Sequence, residues 1–140
     1  MTLSRRDFVI GAGCGVTFAS MSSLPAYASL VEDSIAAFTG GADVVSGDIV
    51  LDAPEIAENG NTVPMEVSAP GAASIMLLAT GNPVPAVATF NFGPLSGSRS
   101  GNTRIRLIKT QEVMAIAKME DGSFRSAQAT VKVTIGGCGG

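Results

Sequence analysis

The stretch Glu112-Val113-Met114-Ala115-Ile116-Ala117-Lys118-Met119, then Glu120-Asp121-Gly122, then Ser123-Phe124-Arg125-Ser126-Ala127-Gln128-Ala129-Thr130-Val131-Lys132-Val133-Thr134-Ile135, decides the fold. In its last part Ala129, Val131, Val133 and Ile135 share one face of an extended chain, and Thr130, Lys132 and Thr134 share the other. In its first part Val113, Ala115, Ala117 and Met119 alternate with Met114, Ile116 and Lys118. Successive side chains of an extended chain point to opposite faces, so this period of two belongs to strands. It predicts a sheet with one wet face. Asp121-Gly122 between the runs predicts a hairpin with a type I′ turn, which needs positive φ at both central positions.

Upstream, shorter β-rich runs repeat the theme: Ile49–Leu51, Thr62–Ser68, Ser74–Ala79, Val87–Phe92 and Thr103–Lys109. Asn59-Gly60-Asn61, Gly81-Asn82-Pro83 and Gly93-Pro94 punctuate them as turns. Pro64 within a run points to an edge strand or to a strand's beginning. Leu30 to Phe38 places Val31, Ile35 and Phe38 at helical spacing, and Thr39-Gly40-Gly41 ends the pattern. The expected fold class is all-β: an immunoglobulin-like antiparallel β-sandwich of about seven strands with a short N-terminal helix. Met65, Met76, Met114 and Met119 are expected to fill the core. Such a sandwich suits binding, adhesion or scaffolding and names no chemistry.

Composition removes many functions. The 140 residues are 46% hydrophobic and 15% charged, with a net charge of −3, one tyrosine, and no histidine or tryptophan. There is no basic patch with stacking aromatics for nucleic acid. Without histidine there is no Ser-His-Asp triad, Cys-His pair or histidine-ligated metal. Asp48, Asp52, Glu55 and Glu58 lack calcium-loop spacing and read as a solvated loop or part of an interface. Arg104 and Arg106 share a strand face, with Arg99 before them and Lys109 after. They suit either an acidic partner or anionic cargo, or a plain solvated face.

The N-terminus reads as an address. Ser4-Arg5-Arg6-Asp7-Phe8-Val9-Ile10 leads into a glycine-rich apolar stretch from Val9 to Met21, and Ala26-Tyr27-Ala28 after Pro25 offers a small-x-small cleavage site. That order is a secretory signal, and the apolar stretch is shorter than the roughly 18 residues of a membrane span. The paired arginines resemble a twin-arginine signal, with an ordinary secretory signal or an uncleaved anchor as the alternatives. The expected organisation is a signal over 1–28, a β-sandwich domain with the N-terminal helix over 29–135 and a C-terminal arm over 136–140. The mature protein is expected in the periplasm, without membrane or nucleic-acid partners. Cleavage removes Cys14 and leaves Cys138 as the sole cysteine, a hazard in an oxidising compartment and hence a residue that needs a reason.

Gly136-Gly137-Cys138-Gly139-Gly140 supplies the reason. Gly136, Gly137, Gly139 and Gly140 have no side chains to pack and wide access to φ/ψ space, so a mobile arm is expected. Five extended residues reach about 17 Å, enough to present one unhindered thiol inside another protein's narrow site. The thiol is not self-activating: an ordinary pKa of roughly 8.5 leaves it mostly protonated at pH 7, and the nearest cation in sequence is Lys132. No catalytic residue, metal ligand or cofactor is expected. Cys138 reads as a place for covalent cargo, activated by partners. An inert tail, a terminal Gly-Gly activated as in ubiquitin-like sulfur carriers, and a permanent intermolecular disulfide are the competing readings. The last makes the chain an exported immunoglobulin-like binding module. A prenylation box is excluded, because cysteine stands third from the end and not fourth.

Lys132 through Gly140 resembles the C-terminus of SoxY, the sulfur-carrier family of thiosulfate oxidation. Ile49 through Met65, containing Asp52-Ala53-Pro54-Glu55-Ile56-Ala57-Glu58-Asn59-Gly60, resembles that family's early strand-and-loop segment. The resemblance implies a SoxZ heterodimer partner. It also implies that Cys138 is joined oxidatively to thiosulfate by a c-type cytochrome, SoxAX. A hydrolase, SoxB, would then release sulfate, and where present a molybdenum–haem dehydrogenase, SoxCD, would oxidise the sulfane sulfur left behind.

Overall fold

The computed structural model describes residues 26–134. One helix, α1 (Ala26–Thr39), precedes nine strands: β1 (Val44–Ser46), β2 (Val50–Asp52), β3 (Ile56–Ala57), β4 (Val63–Ser68), β5 (Ala72–Ala79), β6 (Ala86–Asn91), β7 (Ser100–Ile105), β8 (Gln111–Met119) and β9 (Phe124–Val133). The expected cleavage site after Ala28 falls in the first turn of α1. That helix stops where Gly40 and Gly41 take φ of 66° and 86°, a region open to glycine at little cost. Gly40 N still reaches Ala36 O at 2.8 Å, and the Thr39 hydroxyl accepts from Gly41 N.

The strands form two open sheets. The larger runs β1-β9-β8-β5-β6 with β3 also on β9, and the smaller runs β2-β4-β7. The sandwich predicted from the sequence is present, with two short strands beyond the expected set. β1 and β3 have three and two residues and pair parallel to β9, while the other pairs are antiparallel. The core between the sheets takes Val63, Met65 and Val67 from β4, facing Leu77 of β5 and Val113 and Ala115 of β8.

The wet face expected for the large sheet is dry over much of its area. Met76, Leu78, Ile116 and Phe124 form a second buried cluster there, closed by Ile35 and Phe38 of α1. The rings of Phe38 and Phe124 meet edge-on, 6.0 Å apart at 71°. Alternation along β8 therefore separates two apolar environments, and only Lys118 keeps its position in solvent.

The β8–β9 hairpin closes in the expected place through a different turn. Gly122 has φ of 88°, but Asp121 does not have positive φ, so the turn is not type I′. Met119 N donates to Ser123 O and Gly122 N to Met119 O, leaving a three-residue loop with a left-handed glycine. Asp121 instead accepts from the amide and hydroxyl of Ser123, at 2.8 and 2.6 Å. Pro64 is the second residue of β4, which is the central strand of its sheet. It lies beyond the reach of β2, which pairs only with Glu66 to Ser68.

Candidate functional site

In the sequence the glycine-flanked Cys138 comes shortly after β9, and the fold fixes the end of that strand from both sides. Along an extended strand, consecutive residues turn their peptide groups to opposite neighbours. Toward one side, Lys132 N donates to Glu55 O at 2.9 Å and Thr134 N to Ala57 O at 3.1 Å. These are the bonds of β3, a strand that exists to hold this stretch: Ile56 stands opposite Lys132 and Ala57 opposite Val133. Toward the other side β8 has run out, its pairing ending at Gln111 and Val131. There the Thr110 hydroxyl takes over, accepting from Val133 N at 2.9 Å and donating to Val133 O at 3.4 Å.

Thr110 is itself placed by a buried amide pair. Asn82 Nδ2 donates to Arg106 O at 2.7 Å, and Asn82 Oδ1 accepts from Ile108 N and from Gln111 Nε2. Gln111 Nε2 also donates to Lys109 O, and its Oε1 accepts from Gly81 N at 2.8 Å. These bonds satisfy the backbone of the segment between β7 and β8. That explains why the expected strand Thr103–Lys109 ends at Ile105: Arg106 O, Ile108 N and Lys109 O bond to the side chains of Asn82 and Gln111 in place of a neighbouring strand. On the far side of the same segment, Leu107 N donates to Gly60 O at 2.7 Å.

Cys138 and the glycines Gly136, Gly137, Gly139 and Gly140 lie outside the described residues. So do Ile135, Cys14, and the Arg5-Arg6 and Val9–Met21 parts of the expected signal. The described structure ends at Thr134, one residue past β9. At β3 an open groove is lined by Pro54, Ile56, Glu58, Thr62 and Pro64, with the Ile56 side chain exposed.

The basic residues do not form one cluster. Arg99 pairs with Glu120 at 2.8 Å, donates to Gly93 O and lies over the Phe92 ring. It is a structural cation tying the loop before β7 to the β8–β9 turn. Arg104 on β7 and Arg106 just past its end are both exposed, but only Arg104 belongs to the small sheet, so the shared strand face expected from the sequence ends with the strand at Ile105. Asp48 pairs with Arg125 at 3.5 Å, and among the described residues no three acidic or sulfur side chains group as metal ligands. Met65 and Met76 are core residues, and Met114 and Met119 pack against the two clusters.

Among the described residues, nine strands in two sheets with the last strand held on both edges define a class: an all-β sandwich with an anchored C-terminal strand. Comparison with known proteins narrows the class. The model of the family described as sulfur oxidation protein SoxY matches residues 35–138, and the chain belongs to that family. The structure of the sulfur carrier protein SoxY from Chlorobium limicola f thiosulfatophilum is 36% identical, with a TM-score of 0.68 over 77% of this chain and 99% of that one. A superoxide reductase (neelaredoxin) from Ignicoccus hospitalis is 18% identical, with a TM-score of 0.55 over 62% of this chain and 80% of that one. At that identity it shares the sandwich alone. No curated protein matches the chain.

Proposed function

We propose that this protein is the sulfur carrier of a thiosulfate-oxidising system, with Cys138 as the attachment point and Gly136, Gly137, Gly139 and Gly140 as the joints of its arm. The observation that carries the reading is the extent of the family match, which runs through Cys138 itself. The tight hold on β9 up to Thr134 adds support, because a swinging thiol needs a fixed root.

The chemistry follows from what the chain lacks. In the first step the Cys138 thiol and the outer sulfur of thiosulfate form an S–S bond, and a proton and two electrons leave, the electrons going to a cytochrome partner. Water then cleaves the bond between sulfane sulfur and the sulfonate group. Sulfate departs and a persulfide stays on Cys138. Where a partner dehydrogenase operates, it removes six electrons from the persulfide, water supplies three oxygens, and a second hydrolysis returns the thiol. In this reading the partners supply the oxidant and activate the water. This chain holds the sulfur and moves it, as a non-catalytic subunit, with SoxZ as companion and SoxAX, SoxB and SoxCD as the visited enzymes. The paired arginines at Arg5 and Arg6 support twin-arginine export of the folded carrier to the periplasm.

Peptide mass spectrometry of the protein from the periplasmic fraction, before and after thiosulfate, tests the reading. Expected are thiosulfonate and sulfane-sulfur adducts on the peptide that follows Lys132, released by reductant and lost in Cys138→Ser. A permanent Cys138 disulfide, unchanged by thiosulfate with the partner enzymes present, would make the chain a cross-linked binding module instead. N-terminal sequencing of the same material should begin at Ser29.

A further inference from the structure

We infer that Thr110 is the positioning residue of the carrier arm: its hydroxyl holds the last peptide of β9 on the side that β8 leaves open and so fixes the direction in which the chain leaves the strand. The inference rests on the carrier reading and adds to it a residue that the glycine-flanked cysteine does not reveal.

Val133 N and Val133 O both point away from β3, toward the side where β8 has ended, and a strand edge left so would fray. One hydroxyl carries one proton and two lone pairs, so it can serve an N–H and a C=O of the same residue together. Thr110 Oγ1 does this, at 2.9 and 3.4 Å. With Glu55 O and Ala57 O on the opposite side, Lys132, Val133 and Thr134 each gain a backbone anchor. Loss of the hydroxyl leaves Val133 N without its acceptor and the end of β9 held by β3 alone, through Lys132 N on Glu55 O and Thr134 N on Ala57 O. The direction in which the chain leaves the strand is then fixed from one side only.

The full-length protein tests this with Thr110→Val, which keeps the shape and removes the hydroxyl, and Thr110→Ser, which restores it. Amide hydrogen exchange is read at Val133 against Val131 as internal reference. Sulfur loading of Cys138 is followed in a thiosulfate-oxidising Sox preparation lacking its own carrier. Thr110→Val should speed exchange at Val133 about fivefold relative to Val131, as expected for one ordinary hydrogen bond. It should lower the rate of loading at least twofold while leaving alkylation of Cys138 by iodoacetamide unchanged. Thr110→Ser should return both readings to the wild-type values. Unchanged exchange at Val133, or faster exchange with undiminished loading, overturns the positioning role. A wild-type chain that takes up no sulfur overturns the carrier reading, and this inference with it.

Discussion

Gln111 Nε2 donates to Asn82 Oδ1 at 2.9 Å, with both side chains buried. With the bond from Gly81 N to Gln111 Oε1, this contact ties the turn after β5 to the first residue of β8, 29 positions after Asn82. Replacing Asn82 by Ala would leave Ile108 N and Arg106 O without their partners and remove one of the two acceptors of Gln111 Nε2. Leaving buried polar groups unpaired costs about 1–3 kcal/mol, and Asn82→Ala is expected to destabilise the fold by about 2–3 kcal/mol in urea unfolding. A loss below about 0.5 kcal/mol would mean that water replaces the amide there.

Gly101 is required by packing. A Cβ built on it would stand 2.6 Å from two carbons of the Phe90 ring and 3.0 Å from Cγ, the ring's fixed end. β7 and β6 belong to different sheets, so this ring lies across the join between them. Overpacking of this kind costs about 1–3 kcal/mol, and Gly101→Ala should lower stability by that amount. Gly97→Ala, which meets nothing within 4 Å, should be near neutral. In the double variant Gly101→Ala/Phe90→Ala the two costs should fall short of additive, since the ring that clashes is gone.

Asp121 gives the fold an acid-sensitive turn. The Ser123 hydroxyl, then the Ser123 amide, hold its carboxyl below the usual value of 3.8. A carboxylate lowered by folding stabilises the native state fully above its unfolded pKa, and that contribution is lost as pH falls through the folded value. The stability difference between wild type and Asp121→Asn should therefore be constant from neutral pH down to about 3.8 and shrink below it. Unfolding curves across that range check the sign. A difference that grows on acidification would contradict it.

These dependencies were legible to different degrees in the sequence. β8 and β9 are long, alternate cleanly and are neighbours in the chain, so local pattern suffices to find them. β1 and β3 are short and owe their extended form to parallel pairing with β9 about 80 residues onward. No local signal marks such a strand. The dryness of the Met114 and Ile116 face was hidden for a related reason: alternation reports two faces but not what covers each. At the candidate site the proposed attachment point is named from sequence alone, because Cys138 stands among four glycines. Its support is not. Thr110 acts on a residue 23 positions away, and as a single threonine after a lysine it resembles any loop residue.

The helix is the last dependency, and it can be measured through one ring pair. Phe124 is 6% exposed, whereas Phe38 is only partly enclosed, and the two meet edge-on at 6.0 Å. Phe→Ala in a closed core costs about 3–5 kcal/mol. Phe124→Ala is expected within that range and Phe38→Ala at about 2 kcal/mol, below it because part of the ring already faces water. An edge-to-face pair contributes about 0.5–1.5 kcal/mol beyond burial. The double variant should then cost less than the two singles together by about that coupling. Leu30→Ala, on the same helix but 42% exposed, should change little. Strict additivity of Phe38→Ala and Phe124→Ala in chemical unfolding would mean that α1 is not docked on β9 through these rings. Met76, Leu78 and Ile116 would then need another cover.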